Sequence, residues 1–123
     1  MYVQIGTNIF KASVPTTAEG RRLGMMGRRF NGEFNCMLFR FEDIHRSFWM
    51  KNCIIPLDMI FVLDGVVSSI AHSCPPCITE PCPFYKGMGQ EVIEVEGGEC
   101  RRLGITVGDS VNYYDGHGRN QIN

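Results

Sequence analysis

Hydrophobic and polar positions trade places at short intervals along this chain, and most of the exchanges have a period of two, the spacing of a strand with one face turned inward. The clearest case is the pair of runs from Leu57 to Leu63 and from Val66 to Ala71, which flank Asp64-Gly65, the favoured pair for a two-residue type I′ hairpin. In that register Leu63 faces Val66, and counting outward sets Asp58 opposite Ala71, on the face of Ile60, Val62, Val67 and Ser69. An acid then ends an otherwise apolar face. Phe48 to Asn52 also alternates, with Phe48, Met50 and Asn52 on one side and Trp49 and Lys51 on the other. Cys36 to Phe41 is apolar enough for a buried strand, Gln90 to Val95 alternates again, and Tyr2 to Ala12 reads as a strand or a ragged hairpin. Val107-Gly108-Asp109 turns the chain into a last strand, Ser110 to Tyr114.

Helical signals are short. Thr16-Thr17-Ala18-Glu19 fits a capping box, in which the Thr16 hydroxyl and the Glu19 carboxylate each accept from an orphan backbone N–H, and Gly24 suits the end of the helix that follows. Gly97 to Leu103 predicts a second helix; the tetrapeptide RRLG closes both, too short an echo to indicate duplication. The pattern predicts a mainly β domain (α+β as the alternative assignment) over residues 1–114, compact and barrel-like with two short helices, and a flexible tail over residues 115–123.

Composition narrows the class of partner. At 123 residues the chain fits one domain able to bury a core, and 14 glycines with 6 prolines favour short strands and turns. The formal charge of -1 advertises no nucleic-acid surface. No apolar run approaches the roughly 18 residues of a membrane span, and Met1 leads straight into YVQI without a basic segment and apolar stretch. The expectation is a cytoplasmic or otherwise soluble chain, with export left open if residues precede Met1.

Lys51, Asn52 and Asp58 fall within eight residues and meet if the strand through Phe48 pairs beside the hairpin. As a site they form a polar patch at a barrel mouth, with Lys51 on an anion, Asn52 orienting it and Asp58 as acceptor or base. As scaffold, Asn52 and Asp58 satisfy turn backbone around Pro56, and Lys51 is solvated. Glu94 is either a buried partner for Lys51 or Arg28, or a solvent-facing strand residue. Met25, Met26, Met37, Phe39, Trp49, Met50 and Met59 either line an adaptable apolar pocket or, as is more usual, fill the core.

The run CPPCITEPC brings Cys74, Cys77 and Cys82 together with His72 just upstream. Three states fit: free thiols, a Cys77 to Cys82 disulfide, or a metal held by Cys74, Cys77, Cys82 and His72. A redox C-x-x-C draws its thiol acidity from a helix N-terminus, and Pro81 leaves no room for that helix. Cys36, Cys53 and Cys100 read as small buried hydrophobes. Of the histidines, His45 falls in a predicted loop, His72 at a strand end and His117 in the tail. Nucleophile elbows, phosphate loops, zinc-protease and dinucleotide fingerprints are missing, and no motif implies a cofactor.

Five segments in order, GMMGR at Gly24 to Arg28, MLFRF at Met37 to Phe41, FWMKNCIIPLDMIF at Phe48 to Phe61, VIEVEGG at Val92 to Gly98 and LGITVGD at Leu103 to Asp109, resemble the small β-rich family of domain of unknown function 192. The resemblance runs over residues 3–114. Met50, Lys51, Asn52, Pro56, Leu57 and Asp58 match its central motif, Glu94 its strand Glu, and Arg28 its Arg when the spacing is read with a one-residue insertion. Cys36 and Cys53 stand where the family usually has Gly and Thr, so any role of a Thr hydroxyl is lost at position 53. The pattern PPC-x4-CP-x-Y at Pro75 to Tyr85 is similar to that of cyanobacterial-like members and supports the Cys77 to Cys82 bond.

The family brings no established activity. The leading expectation is a small-ligand-binding or accessory module with a polar patch around the FWMKN and PLD segments, its partner a small molecule or a protein, with two competitors: a small hydrolase using Asp58 with Lys51 or Arg28, and a structural protein-interaction module.

Overall fold

The computed structural model describes residues 1–115, so the expected tail lies outside the described residues except for Asp115. Among the described residues nine strands and two helices follow in chain order: β1 (Tyr2–Ile5), β2 (Asn8–Ser13), α1 (Ala18–Leu23), β3 (Cys36–Arg40), β4 (His45–Trp49), β5 (Leu57–Leu63), β6 (Val66–Cys74), β7 (Phe84–Met88), β8 (Glu91–Glu96), α2 (Glu99–Leu103) and β9 (Val111–Tyr114). The assignment is mainly β, as the alternation predicts. Seven strands form one sheet in the order β6-β5-β8-β3-β2-β1-β9, and β4 pairs with β7 as a separate ribbon.

The large sheet curls without closing into a barrel. Its edge strands touch beside the Asp64-Gly65 tip, where Val66 and Ser110 form an isolated bridge and the Val67 N–H donates to the Asp109 carbonyl at 2.9 Å. No ladder joins β6 to β9, which corrects the barrel expectation: the contact ends within a few residues of the hairpin tip.

Alternation gives this sheet two buried faces. Val3, Ile5, Phe10, Leu38, Ile60, Val62, Ile93 and Tyr113 fill the inside of the curl, plugged by Cys100 of α2 and Ile105 after it. On the other face Met37, Phe39, Leu57, Met59, Phe61 and Val92, with Cys74 at the end of β6, are covered by Met25, Phe34, Met50, Cys53 and Ile55 from the long connections, and Phe48 and Tyr85 of the ribbon pack against them. Each side chain so removed from water contributes roughly 1.5–3 kcal/mol. The second layer holds the excursions down, and it is between this layer and the sheet that a pocket opens.

Several local expectations shift. The cap of α1 is Thr17, whose hydroxyl accepts from the Gly20 N–H at 2.9 Å, while Glu19 pairs with Arg22 instead of reaching back. β4 begins at His45, which is therefore not in a loop, and it pairs with β7 rather than with the β5–β6 hairpin. β7 escaped the pattern because Lys86 and Gly87 interrupt its apolar positions. Gly87 is required there: a Cβ would lie 2.4 Å from the Phe61 ring, so only glycine lets the ribbon lie against β5.

The hairpin register also slips. Leu63 faces Val66 as counted, but an irregularity after Val62 and Val67 sets Phe61 opposite Ser69 and Met59 opposite Ala71. A second one sets Leu57 opposite Cys74, leaving Asp58 beside a bulge at His72 and Ser73. Ser68, the extra residue of the first, uses its hydroxyl to donate to the carbonyls of Phe61 (3.1 Å) and Met88 (2.6 Å).

Candidate functional site

Asp58 faces the inside of the curl and is fully buried. Its Oδ1 accepts from the backbone N–H of Ser73 (2.7 Å) and Gly98 (3.1 Å), and its Oδ2 from that of Cys100 (2.9 Å). Burial alone would raise the carboxyl; the three N–H donors outweigh it and hold it below the usual Asp range. With the bulge and the start of α2 pinned on its oxygens, Asp58 is a structural clamp. The donors are not those of the Pro56 turn, as the scaffold alternative had it, because the bulge and α2 reach the carboxylate instead.

Asn52 sits at φ 60, its N–H donating to the Cys77 carbonyl at 2.8 Å and its own carbonyl accepting from Gly27. Its job is a left-handed turn. Arg28 is exposed and lies over the Phe34 ring at 5.0 Å. Neither meets Lys51 or Glu94, and the patch as counted from the sequence does not assemble.

Glu94 and Lys51 do share a lining. A cavity of about 360 Å³ opens between α1, β3, β4 and β8. Arg21, Arg22 and Leu23 of α1, with Gly24, Met25 and Met26 after it, form one wall; Phe39, Phe41 and Arg46 through Trp49 form another; Lys51, Cys53 and Glu94 complete it. Phe48 anchors the aromatic wall, edge-on to Phe39 at 5.0 Å and to Phe41 at 6.0 Å. The Arg46 guanidinium lies over Phe41 at 3.8 Å and pairs with Asp43.

Glu94 is 4% exposed, set between Met37 of β3 and Met59 of β5 on the second buried face. Its carboxyl has no hydrogen bond or ion pair among the described residues, and burial pushes it up to about 8. Lys51 does not compensate it: the ammonium donates to the Ile78 carbonyl at 3.2 Å and meets Glu80 at 3.5 Å. Nor does Arg28, so neither partner expected for Glu94 is its partner. The Cys53 thiol on the same lining is pushed up to about 12, first by burial and then by Glu94, so it is no nucleophile at neutral pH.

Cys77 and Cys82 form a disulfide with Cα atoms 5.9 Å apart. That bond uses two of the four ligands of the metal alternative, and Cys74 is buried with its thiol pushed up to about 11 by burial. His72 has a buried Nδ1 with no hydrogen-bond partner, and no group of three or more His, Cys, Asp or Glu among the described residues could hold a metal ion. Through Cys77 the loop braces the pocket, since its N–H donates to the Met50 carbonyl at 3.2 Å and it bridges Lys51.

Sequence reasoning missed Arg21, Arg46 and Ser47 as lining residues. Extending the Phe48 alternation back to His45 would have set Arg46 on the Phe48 side. No local signal marks Arg21.

Among the described residues no helix is long and apolar enough to cross a membrane. No curated protein matches the chain. Among solved structures it is similar to a protein of unknown function from Novosphingobium aromaticivorans, with 32% identity over 91% of this chain and 84% of the other and a TM-score of 0.80. It is similar also to a candidate transcription regulator from Sinorhizobium meliloti, with 28% identity, 89% and 90% coverage and a TM-score of 0.80. The model of the family of domain of unknown function 192, described as Uncharacterized ACR, matches residues 1–113. The chain belongs to that family.

Proposed function

We propose that this protein binds a small organic molecule in the cavity between α1, the β4–β7 ribbon and the sheet, with Glu94 as its deep polar contact. One observation carries the reading: a carboxyl almost wholly out of water, without a protein partner, on the lining of a cavity of ligand size. Structural acids here are satisfied, as Asp58 is; Glu94 is left for something else. A regulatory role, the description the Sinorhizobium relative carries, would use this cavity as its effector site. Placement among cyanobacterial-like members is part of the proposal and rests on the Pro75 to Tyr85 pattern alone.

An enzyme using Glu94 as general acid and base is the second reading, favoured by a carboxyl that holds its proton near neutral pH. A hydrolase built on Asp58 is not: both its oxygens are engaged by backbone.

The test is amide shift mapping of a fragment library on the full chain. Binders should perturb Phe48, Cys53 and Glu94 and be weakened by Ser47→Phe, which fills the cavity from an exposed position. Binders that map elsewhere, and whose affinity Ser47→Phe leaves unchanged, would remove the reading.

A further inference from the structure

We propose that the mouth of this cavity is an oxyanion site formed by Arg21 and Arg46, so that the ligand is a small amphiphile with a carboxylate or phosphate head and an apolar body. The inference rests on the reading of the cavity as a ligand site and names what it takes. A second, open depression lined by Arg21, Arg40, Phe41, Glu42, Asp43 and Arg46 shares Arg21, Phe41 and Arg46 with the cavity, so the two are continuous. A guanidinium nitrogen there, Arg46 Nε, is buried without a hydrogen-bond partner. Arg21 makes no ion pair among the described residues.

The Arg46 guanidinium is held by an aromatic face, over Phe41 at 3.8 Å, whereas that of Arg40 lies over Tyr113 at 4.7 Å on the inner face of the sheet, outside the site. A planar donor fixed as Arg46 is suits an oxyanion, because little side-chain freedom remains to be lost on binding. The nearby acids offset the group only through Asp43. Glu42 is exposed, Asp43 pairs with Arg46 from a side chain 76% exposed, and Glu91 lies across the ladder from Arg40 with its Oε1 accepting from Tyr113. That pair engages one end of a guanidinium whose side chain is 10% exposed, and leaves its Nε unpaired.

Farther in, the walls turn apolar at Phe39, Phe48 and Met25, and the far polar contact is Glu94. Near neutral pH that carboxyl is protonated, so it donates to the ligand without repelling the head. A cationic ligand would instead meet the guanidiniums of Arg21 and Arg46 on entry.

The probes are 3-phenylpropanoate, 3-phenylpropyl phosphate and the neutral 3-phenylpropan-1-ol, titrated onto the full chain by fluorescence of Trp49, the single tryptophan and a cavity residue. Expected at low salt is tenfold or tighter binding of an acid over the alcohol, with the gap closing in Arg21→Gln, in Arg46→Gln and at high salt; the tighter acid identifies the head. Arg46→Lys, which keeps charge but loses the planar fork, should retain part of the preference, and a melting curve confirms that each variant folds. Equal binding of acid and alcohol, or a preference indifferent to both Gln substitutions, overturns the oxyanion site and leaves the cavity reading standing. Absence of binding by all three probes counts against the cavity reading and takes this inference with it.

Discussion

Replacing Glu94 by Gln separates the charge of the buried acid from its shape. Burial moves its carboxyl from 4.5 to about 8. The neighbours that act on it are few: the Cys53 and Cys74 thiols are pushed up to about 12 and about 11 and stay neutral, and Lys51 is engaged by Glu80. Between those pH values the folded chain holds a proton that the unfolded chain has released, so stability falls as pH rises from about 4.5 to 8 and is level above. At about 1.4 kcal/mol per pH unit the full loss is roughly 5 kcal/mol, and water in the cavity that solvates the carboxylate brings it down toward about 2 kcal/mol. Domain stabilities run about 5–15 kcal/mol, so either end is measurable. Urea unfolding of both chains from pH 5 to 9 gives the difference directly, with every other titration cancelling. The two should be close at pH 5, with the Gln variant ahead by about 2–5 kcal/mol at pH 9. A difference independent of pH, or a carbon-detected Glu94 midpoint below 6, would refute the account of an unpartnered buried acid.

Asp58→Ala strips the acceptor from three backbone N–H groups and should cost about 3–5 kcal/mol in urea unfolding, with Asp58→Asn milder. Because its carboxyl is held down, the stabilisation is present above its ordinary 3.8 and lost as pH falls through the lowered value; Asp58→Asn should flatten that acid limb. In denaturant the oxidised chain should titrate four thiols, Cys36, Cys53, Cys74 and Cys100, and six after reduction, while the native chain reacts slowly because all four are buried. Opening the short Cys77 to Cys82 loop should lower stability by only about 2 kcal/mol, and a larger loss would mean the loop carries packing of its own. Gly87→Ala drives a Cβ into the Phe61 ring and should cost about 1–3 kcal/mol, whereas Gly32→Ala, with nothing within 4 Å, should be neutral in the same thermal melt.

The sequence carried the strands wherever alternation was unbroken. β5 was legible to the residue, and β3 and β8 to within one at each end, because their apolar positions repeat at period two on faces that are in fact buried. It failed where the pattern depends on something distant. β7 is half exposed and broken by Gly87, whose meaning lies in Phe61, and the β6 bulges are set by Ser68 and by the Asp58 carboxylate, partners a local count cannot see. A one-residue slip turns every later side chain over, which is why Asp58 was set opposite Ala71 although it lies beside the bulge after it.

The two buried acids show why the site was only half legible. Asp58 and Glu94 stand on paired central strands, Asp58 beside Val95 and Glu94 beside Met59, at 0% and 4% exposure. In sequence each is one acid in an apolar strand, and the PLD segment makes Asp58 the more conspicuous. Side-chain alternation sends them to opposite faces, and the faces differ in what covers them. The inner one meets α2, whose first N–H groups and the β6 bulge converge on Asp58. The outer one is covered by Met25, Met50 and Cys53, which offer Glu94 no donor. Burial is therefore common to both, and the supply of donors decides the chemistry: one carboxyl becomes a charged clamp and the other a proton-holding group in a cavity. Donor supply depends on chain excursions some 40 residues away, so no reading of either strand alone assigns those roles. By the same logic a donor placed over Glu94, for instance by Met25→Gln, should drop its midpoint and weaken ligand binding together, and a drop in one without the other would separate the cavity's chemistry from its acid.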